Sequence, residues 1–254
     1  MKPINHHVKA ARFSVLLILL VVFSCSREHS EESSQSAMPP TEVPSEDAQL
    51  TALADQLNMT AHSASAAVSR ILTQQAQQVQ GRLRGSEHQL KTKSSTLRKL
   101  KKLHAEHPEV PLRDLKISDA LRYTMEIDDQ PLGHYVEGIR AILESLEEAG
   151  HTVKQVKKYW PKGDNYSGVN ATLMTTKGLE WELQFHTPAS YAEAKRSHVQ
   201  YERLRELKTP LAERKQLFNE MAKPWEEIPV PQGVLEPHNL HALEEIKQWS
   251  EPAQ

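Results

Sequence analysis

The chain has 254 residues, 38% hydrophobic and 25% charged, with a formal net charge of −2 at pH 7. That is enough for one well-cored domain with appendages. The balanced charge excludes a protein built mainly to coat nucleic acid, while leaving local basic clusters open.

At the N-terminus Lys2, Lys9 and Arg12 precede an apolar run from Phe13 to Phe23. The run is too short to span a bilayer and reads as the core of an export signal. It ends in VFSC, Val22 to Cys25, which resembles the bacterial lipobox, where cleavage falls before a cysteine that becomes lipidated. The expectation is a signal peptide over 1–24 and a lipid on Cys25, set against an ordinary signal peptide or a short anchor. Cys25 is the single cysteine, so the chain forms no internal disulfide. Residues 25–48 are rich in Ser, Glu and Pro and lack the apolar side chains that would offset the entropy of ordering. They are expected to form a flexible tether.

Over 49–80, Leu53, Leu57, Ala61, Ala64, Val68, Ile71 and Val79 recur at helical spacing, which predicts one long amphipathic helix with Gly81 and Gly85 bracketing its end. SSTLRKLKKLHAEH, from Ser94, predicts a second helix with Leu97, Leu100 and Leu103 inward. LRYTMEI, Leu121 to Ile127, is β-branched and aromatic without Gly or Pro, and predicts a strand. The stripe Leu132, Tyr135, Ile139, Ile142 and Leu146 predicts a helix that stops at Gly150. A strand follows over 151–160.

Val169 to Thr175 and Leu179 to Thr187 both alternate apolar and polar, and they flank Thr176, Lys177 and Gly178. This is a hairpin signal. A three-residue loop pairs Thr172 with Glu182 and Asn170 with Gln184, and joins the apolar rows; a two-residue loop would mix them. One sheet face then carries Asn170, Thr172, Glu182, Gln184 and His186. Helices are expected over Tyr191 to Leu207 and Leu211 to Trp225, then a PVPQG break and a helical tail over 233–254, its helix from about His238 to Trp249. The fold class is α+β, a mixed β-sheet flanked by helices, with the sheet domain over 81–232.

Three stretches carry chemistry. In HQLKTKSSTLRKL, His88 to Leu100, cations and hydroxyls meet at a helix start, an arrangement that suits polyphosphate. It equally suits a capped helix with a solvated basic face; nucleic acid or anionic lipid is a third reading, weakened by the lack of interleaved aromatics. PKGDNYSGVNATL, Pro161 to Leu173, presents Tyr166, which can stack on a base or staple the turn. WELQFHT, Trp181 to Thr187, offers a carboxylate, an amide and an imidazole on one face.

These stretches, in this order, resemble the synthetase domain of the RelA/SpoT family of (p)ppGpp synthetases over about residues 85–230. SSTLRKL resembles the family's Ser-Ile-x-x-Lys segment and ALRYT its small-apolar-Arg strand. NYSGVN resembles the Gly-Tyr-x-Ser-x-His loop, and WELQFHT the Val-Glu-x-Gln-x-Arg-Thr strand. The resemblance implies a nucleotidyltransferase-like fold and Mg²⁺-dependent pyrophosphoryl transfer from ATP to the 3′-hydroxyl of a purine nucleotide. By the same matches Lys91, Ser95, Arg98 and Lys99 hold the ATP phosphates, and Glu182, Gln184 and Arg122 are catalytic. Tyr166, Asn170 and His186 fall at acceptor-binding positions, and Glu182 with Asp119 (or Asp114) holds Mg²⁺.

Gln89, Asn170 and His186 depart from the family's Arg, His and Arg, and the family's metal-binding aspartate aligns with Ile117. With export, these departures point to a divergent secreted or toxin-like branch. Adenine nucleotides, or even tRNA ends, then join guanine nucleotides as acceptors, although no other nucleic acid is expected. The competing expectation is a degenerate, inactive domain on a lipid anchor that binds nucleotide or protein. His104 and His107 lie one helical turn apart but lack a cysteine or a clear third ligand for zinc.

Overall fold

In the computed structural model, which describes residues 44–160, 165–206, 208–236 and 243–245, the long first helix, α1, runs Glu46–Gln78. Ser45 caps it by accepting from the Ala48 amide, satisfying one of the donors that a helix start leaves open. Leu50, Ala54, Ala61, Val68 and Leu72 are buried along one stripe and share a core with the sheet. The expected leader, Cys25 and most of the expected tether lie outside the described residues. Among the described residues no helix is long and apolar enough to cross a membrane.

The other helices are α2 (Lys93–Glu106), α3 (His134–Glu148), α4 (Pro188–Arg205) and α5 (Leu211–Glu226). The strands are β1 (Arg82–Arg84), β2 (Arg122–Glu126), β3 (Thr152–Lys158), β4 (Val169–Met174), β5 (Glu180–His186) and β6 (Leu243–Glu245). They form one mixed sheet in the order β1-β2-β5-β4-β3-β6, with β2–β5 and β3–β6 parallel. The α+β expectation holds.

The hairpin register is the expected one: Asn170 faces Gln184, Thr172 faces Glu182, and Val169, Ala171 and Leu173 face Phe185, Leu183 and Trp181. Gly178 turns the loop at φ +81, a conformation that costs a glycine little. The apolar rows point toward α1 and α3. The Tyr123 hydroxyl donates to the Ser65 carbonyl of α1 at 2.7 Å, and the Tyr135 hydroxyl donates to the Phe185 carbonyl at 2.8 Å. These bonds give two buried phenols acceptors for their protons.

At the end of β5, Thr187 and Ser190 form a reciprocal capping box with Pro188 in the first turn of α4, so strand gives way to helix without an intervening loop. Arg203 of α4 binds Glu213 of α5 at 2.8 Å, tying the two helices together. One expectation is corrected. Leu243–Glu245 lies within the expected terminal helix but pairs in parallel with Val156, Lys157 and Lys158, because the open edge of β3 offers backbone partners to an extended segment.

Candidate active site

The polar face of the sheet centres on β5, which is hydrogen-bonded to β2 on one side and β4 on the other. A strand held on both sides is a rigid mount for a reactive side chain. Arg122 stands opposite Glu182, Thr124 opposite Gln184, and Glu126 opposite His186. With Asn170 and Thr172 on the other flank, the polar patch is wider than the hairpin alone provides.

Glu182 is half-buried, and its Oε1 accepts from Gln184 Nε2 at 2.6 Å and from Asn170 Nδ2 at 3.1 Å. The described residues supply no donor to Oε2. From Asn170 the contacts run inward. The Tyr166 hydroxyl donates to Asn170 Oδ1 at 2.9 Å and lies 3.0 Å from His186 Nε2, and His186 Nδ1 lies 3.0 Å from Ser190 Oγ. His186 is only 2% exposed. Burial pushes its imidazole down to about 4, against a smaller opposing effect of the Ser167 backbone, so the ring is neutral near pH 7. The Tyr166 phenol is raised well above its ordinary range, first by burial and then by the charge of Glu182.

His186, expected at the acceptor, is buried behind Tyr166. Its ring stands edge-on to Tyr166 at 5.2 Å, and Tyr166 also packs against Tyr159 at 5.0 Å and Trp225 at 5.8 Å. Pro161 to Asp164, the start of the expected stacking loop, lies outside the described residues.

Gly168 explains how these groups come so close. A Cβ there would sit 3.0 Å from the Phe185 carbonyl oxygen, 3.1 Å from the Tyr166 hydroxyl and 3.2 Å from His186 Cε1. Gly168→Ala should therefore destabilise the domain by about 1–3 kcal/mol through overpacking, measured by urea unfolding. A variant as stable as the parent would show that the contact is loose.

The basic stretch divides in two. Lys93 binds Asp55 at 2.6 Å and Lys101 binds Asp47 at 2.9 Å, docking α2 on α1. Lys91 and Lys99 instead converge on Asp119, at 2.9 and 2.7 Å. Burial pushes the Asp119 carboxyl up, but the hydrogen bonds and charges of Lys99 and Lys91 outweigh burial and hold it below its ordinary value. Thr92 caps α2, accepting from the Ser95 amide and donating to Ser95 Oγ at 3.0 Å. Arg98 is exposed on the same helix.

Asp119 sits in a one-turn segment, Ser118–Ala120, that leads into β2, and the Leu121 carbonyl beyond it accepts from the Glu182 amide. The two expected metal ligands thus lie on adjoining elements. Mg²⁺ takes hard oxygen donors, commonly one or two carboxylates with the rest from phosphate and water. Glu182 Oε2 suits that chemistry. Asp119, the other expected ligand, has its two oxygens engaged by Lys91 and Lys99.

Ile117 is buried in the core, so the position that the family resemblance aligns with an aspartate carries no ligand. Among the described residues no three His, Cys, Asp or Glu side chains form a ready metal cage. His104 and His107 pair separately, with Glu46 at 3.8 Å and Glu109 at 3.3 Å.

Two parts of this face were not anticipated from sequence. Arg84 makes a two-pronged bond to the buried Glu126 at 2.8 and 3.0 Å and lies 5.5 Å over the Tyr191 ring. Ser190 closes the His186 contact. The glycine-bracketed RLR and the Thr-Pro-x-Ser helix start were the available signals.

No protein family and no curated protein matches the chain in sequence. Among solved structures it is similar to the Type VI effector Tas1 in complex with its immunity protein, at 18% identity and a TM-score of 0.43, covering 68% of this chain and 94% of that one. It is similar to small alarmone synthetase 2 from Bacillus subtilis at 18% identity and a TM-score of 0.47, covering 68% and 89%. Small alarmone synthetase 1 from Bacillus subtilis bound to its product pppGpp gives 15% identity and a TM-score of 0.39, covering 57% and 70%.

Proposed function

We propose that the domain is a nucleotide pyrophosphokinase that transfers the β,γ-diphosphate of ATP to the 3′-hydroxyl of a purine nucleotide. The observation that carries this reading is the state of Glu182: one oxygen fixed by two amides, the other without a protein donor among the described residues, on a central strand facing Arg122. The order of sequence motifs resembling the RelA/SpoT synthetases supports it.

Glu182 orients the acceptor hydroxyl and takes its proton as the new O–Pβ bond forms and AMP departs. Gln184 and Asn170 keep the carboxylate in place. Arg122 neutralises charge on the transferring group, while Lys91, Lys99, Arg98 and Ser95 bind the ATP phosphates at the start of α2. Mg²⁺, held by Glu182 and the phosphates, supplies charge neutralisation when bound.

A second reading, a domain that binds nucleotide or protein without catalysis, is favoured by the lysine pair already engaged with Asp119. Incubating the full chain with γ-labelled ATP, Mg²⁺ and GDP, GTP, ADP, ATP or tRNA separates the two. Label on any acceptor supports transfer, and ATP binding without label on any acceptor supports the second reading.

We also infer export and lipidation at Cys25. Cells expressing the chain should incorporate labelled palmitate and accumulate precursor under globomycin, and Cys25→Ser should abolish both effects. Lipid incorporation into Cys25→Ser would place the anchor elsewhere.

A further inference from the structure

The contacts behind Glu182 can be given a direction atom by atom. A carboxylate only accepts, so the Asn170 group facing Glu182 Oε1 at 3.1 Å is its NH₂. Its carbonyl oxygen therefore faces Tyr166, and the phenol must donate to it at 2.9 Å. A phenol has one proton. The contact between Tyr166 and His186 Nε2 at 3.0 Å then requires the imidazole to donate to the phenol oxygen. A neutral ring with its proton on Nε2 accepts at Nδ1, so Ser190 Oγ gives its one proton to that nitrogen, 3.0 Å away, over the Thr187 carbonyl at 3.3 Å. Ser190 Oγ in turn accepts from the Thr187 amide at 3.0 Å. Every donor along the line points toward Glu182.

We infer that His186 and Ser190 are positioning residues, the inner end of a one-way hydrogen-bond chain that fixes Glu182 Oε1 and leaves Oε2 to the reactants. This rests on the proposal that Glu182 is the reactive carboxylate. His186 touches no reactant in this arrangement. It sets the orientation of the Tyr166 hydroxyl, which sets the Asn170 amide, which sets the carboxylate. Such a chain polarises each member toward its acceptor, and outer groups of this kind typically change activity by about 10–100-fold when removed.

The test uses the full chain. Long-range ¹H–¹⁵N spectra of the histidine side chains, assigned with His186→Gln, should place the His186 proton on Nε2 at pH 7, and Tyr166→Phe should shift that signal. A proton on Nδ1 overturns the chain whether or not the protein transfers phosphate. In the transfer assay, Tyr166→Phe and His186→Phe should lower kcat by about 10-fold or more with little change in acceptor KM. His186→Gln, whose amide can donate to the same oxygen, should restore much of it.

A rise in acceptor KM at unchanged kcat would return His186 to direct recognition and overturn the positioning role. Should His186→Phe fail to fold, Tyr166→Phe and the spectra decide. If no acceptor is labelled but the Nε2 signal is present, the chain exists and it is the catalytic reading that has failed.

Discussion

Glu182→Gln should leave the domain folded and reduce diphosphate transfer by about 10³-fold, the scale expected when a group that both accepts a proton and binds metal is lost. The substitution is nearly isosteric. Its amide oxygen can still accept from Gln184 and Asn170, which now contact Oε1 at 2.6 and 3.1 Å, so stability should change little. What is lost is the charge and basicity of the other oxygen. The loss should fall on kcat, with ATP KM within a few-fold, because in the proposed arrangement most phosphate contacts come from Lys91, Ser95, Arg98 and Lys99. Retention of more than a tenth of the activity, or an equal loss caused by unfolding in a circular-dichroism melt, would remove Glu182 from the reaction.

The second large effect is acid sensitivity. The His186 imidazole has an ordinary value of 6.5 and is pushed down to about 4 by burial. As pH falls, the unfolded chain takes up a proton first, while the folded ring stays neutral. The stability owed to this difference is complete above 6.5 and is lost progressively as pH drops toward about 4. The full span is worth on the order of 3 kcal/mol. His186→Gln cannot titrate, so its urea midpoint should fall less than the parent's between pH 7 and pH 4.5. Parallel declines in the two proteins would show that the buried ring is not the source.

Much of this site could be read from sequence because its centre is a hairpin. Strict alternation on both strands, with Gly178 in the loop, left one register that kept the apolar rows together, and the observed pairs match it residue for residue. The parallel neighbour was a different matter. Nothing in the sequence sets Arg122 against Glu182, because parallel strands share no turn. β1 and β6 are three residues each, too short for periodicity to mark.

The lysines were legible as a cluster but not by their partners. Lys91 and Lys93 differ by two positions, yet one meets Asp119 and the other Asp55, a division set by the docking of α2 on α1. The imidazole of His186 was placed on the correct face. Its depth depends on Tyr166, Gly168 and Ser190 closing around it, and no local pattern encodes that.

The parallel pairing of β2 with β5 also dictates an order of assembly. Glu182, Gln184 and Asn170 belong to one hairpin and can meet early, since a short loop closes at little entropic cost. Arg122 joins them only after a long segment containing α3, β3 and β4 has been closed, and non-local pairing of this kind is slow. During refolding, the carboxylate and its amides should therefore come together before the arginine and the lysines arrive.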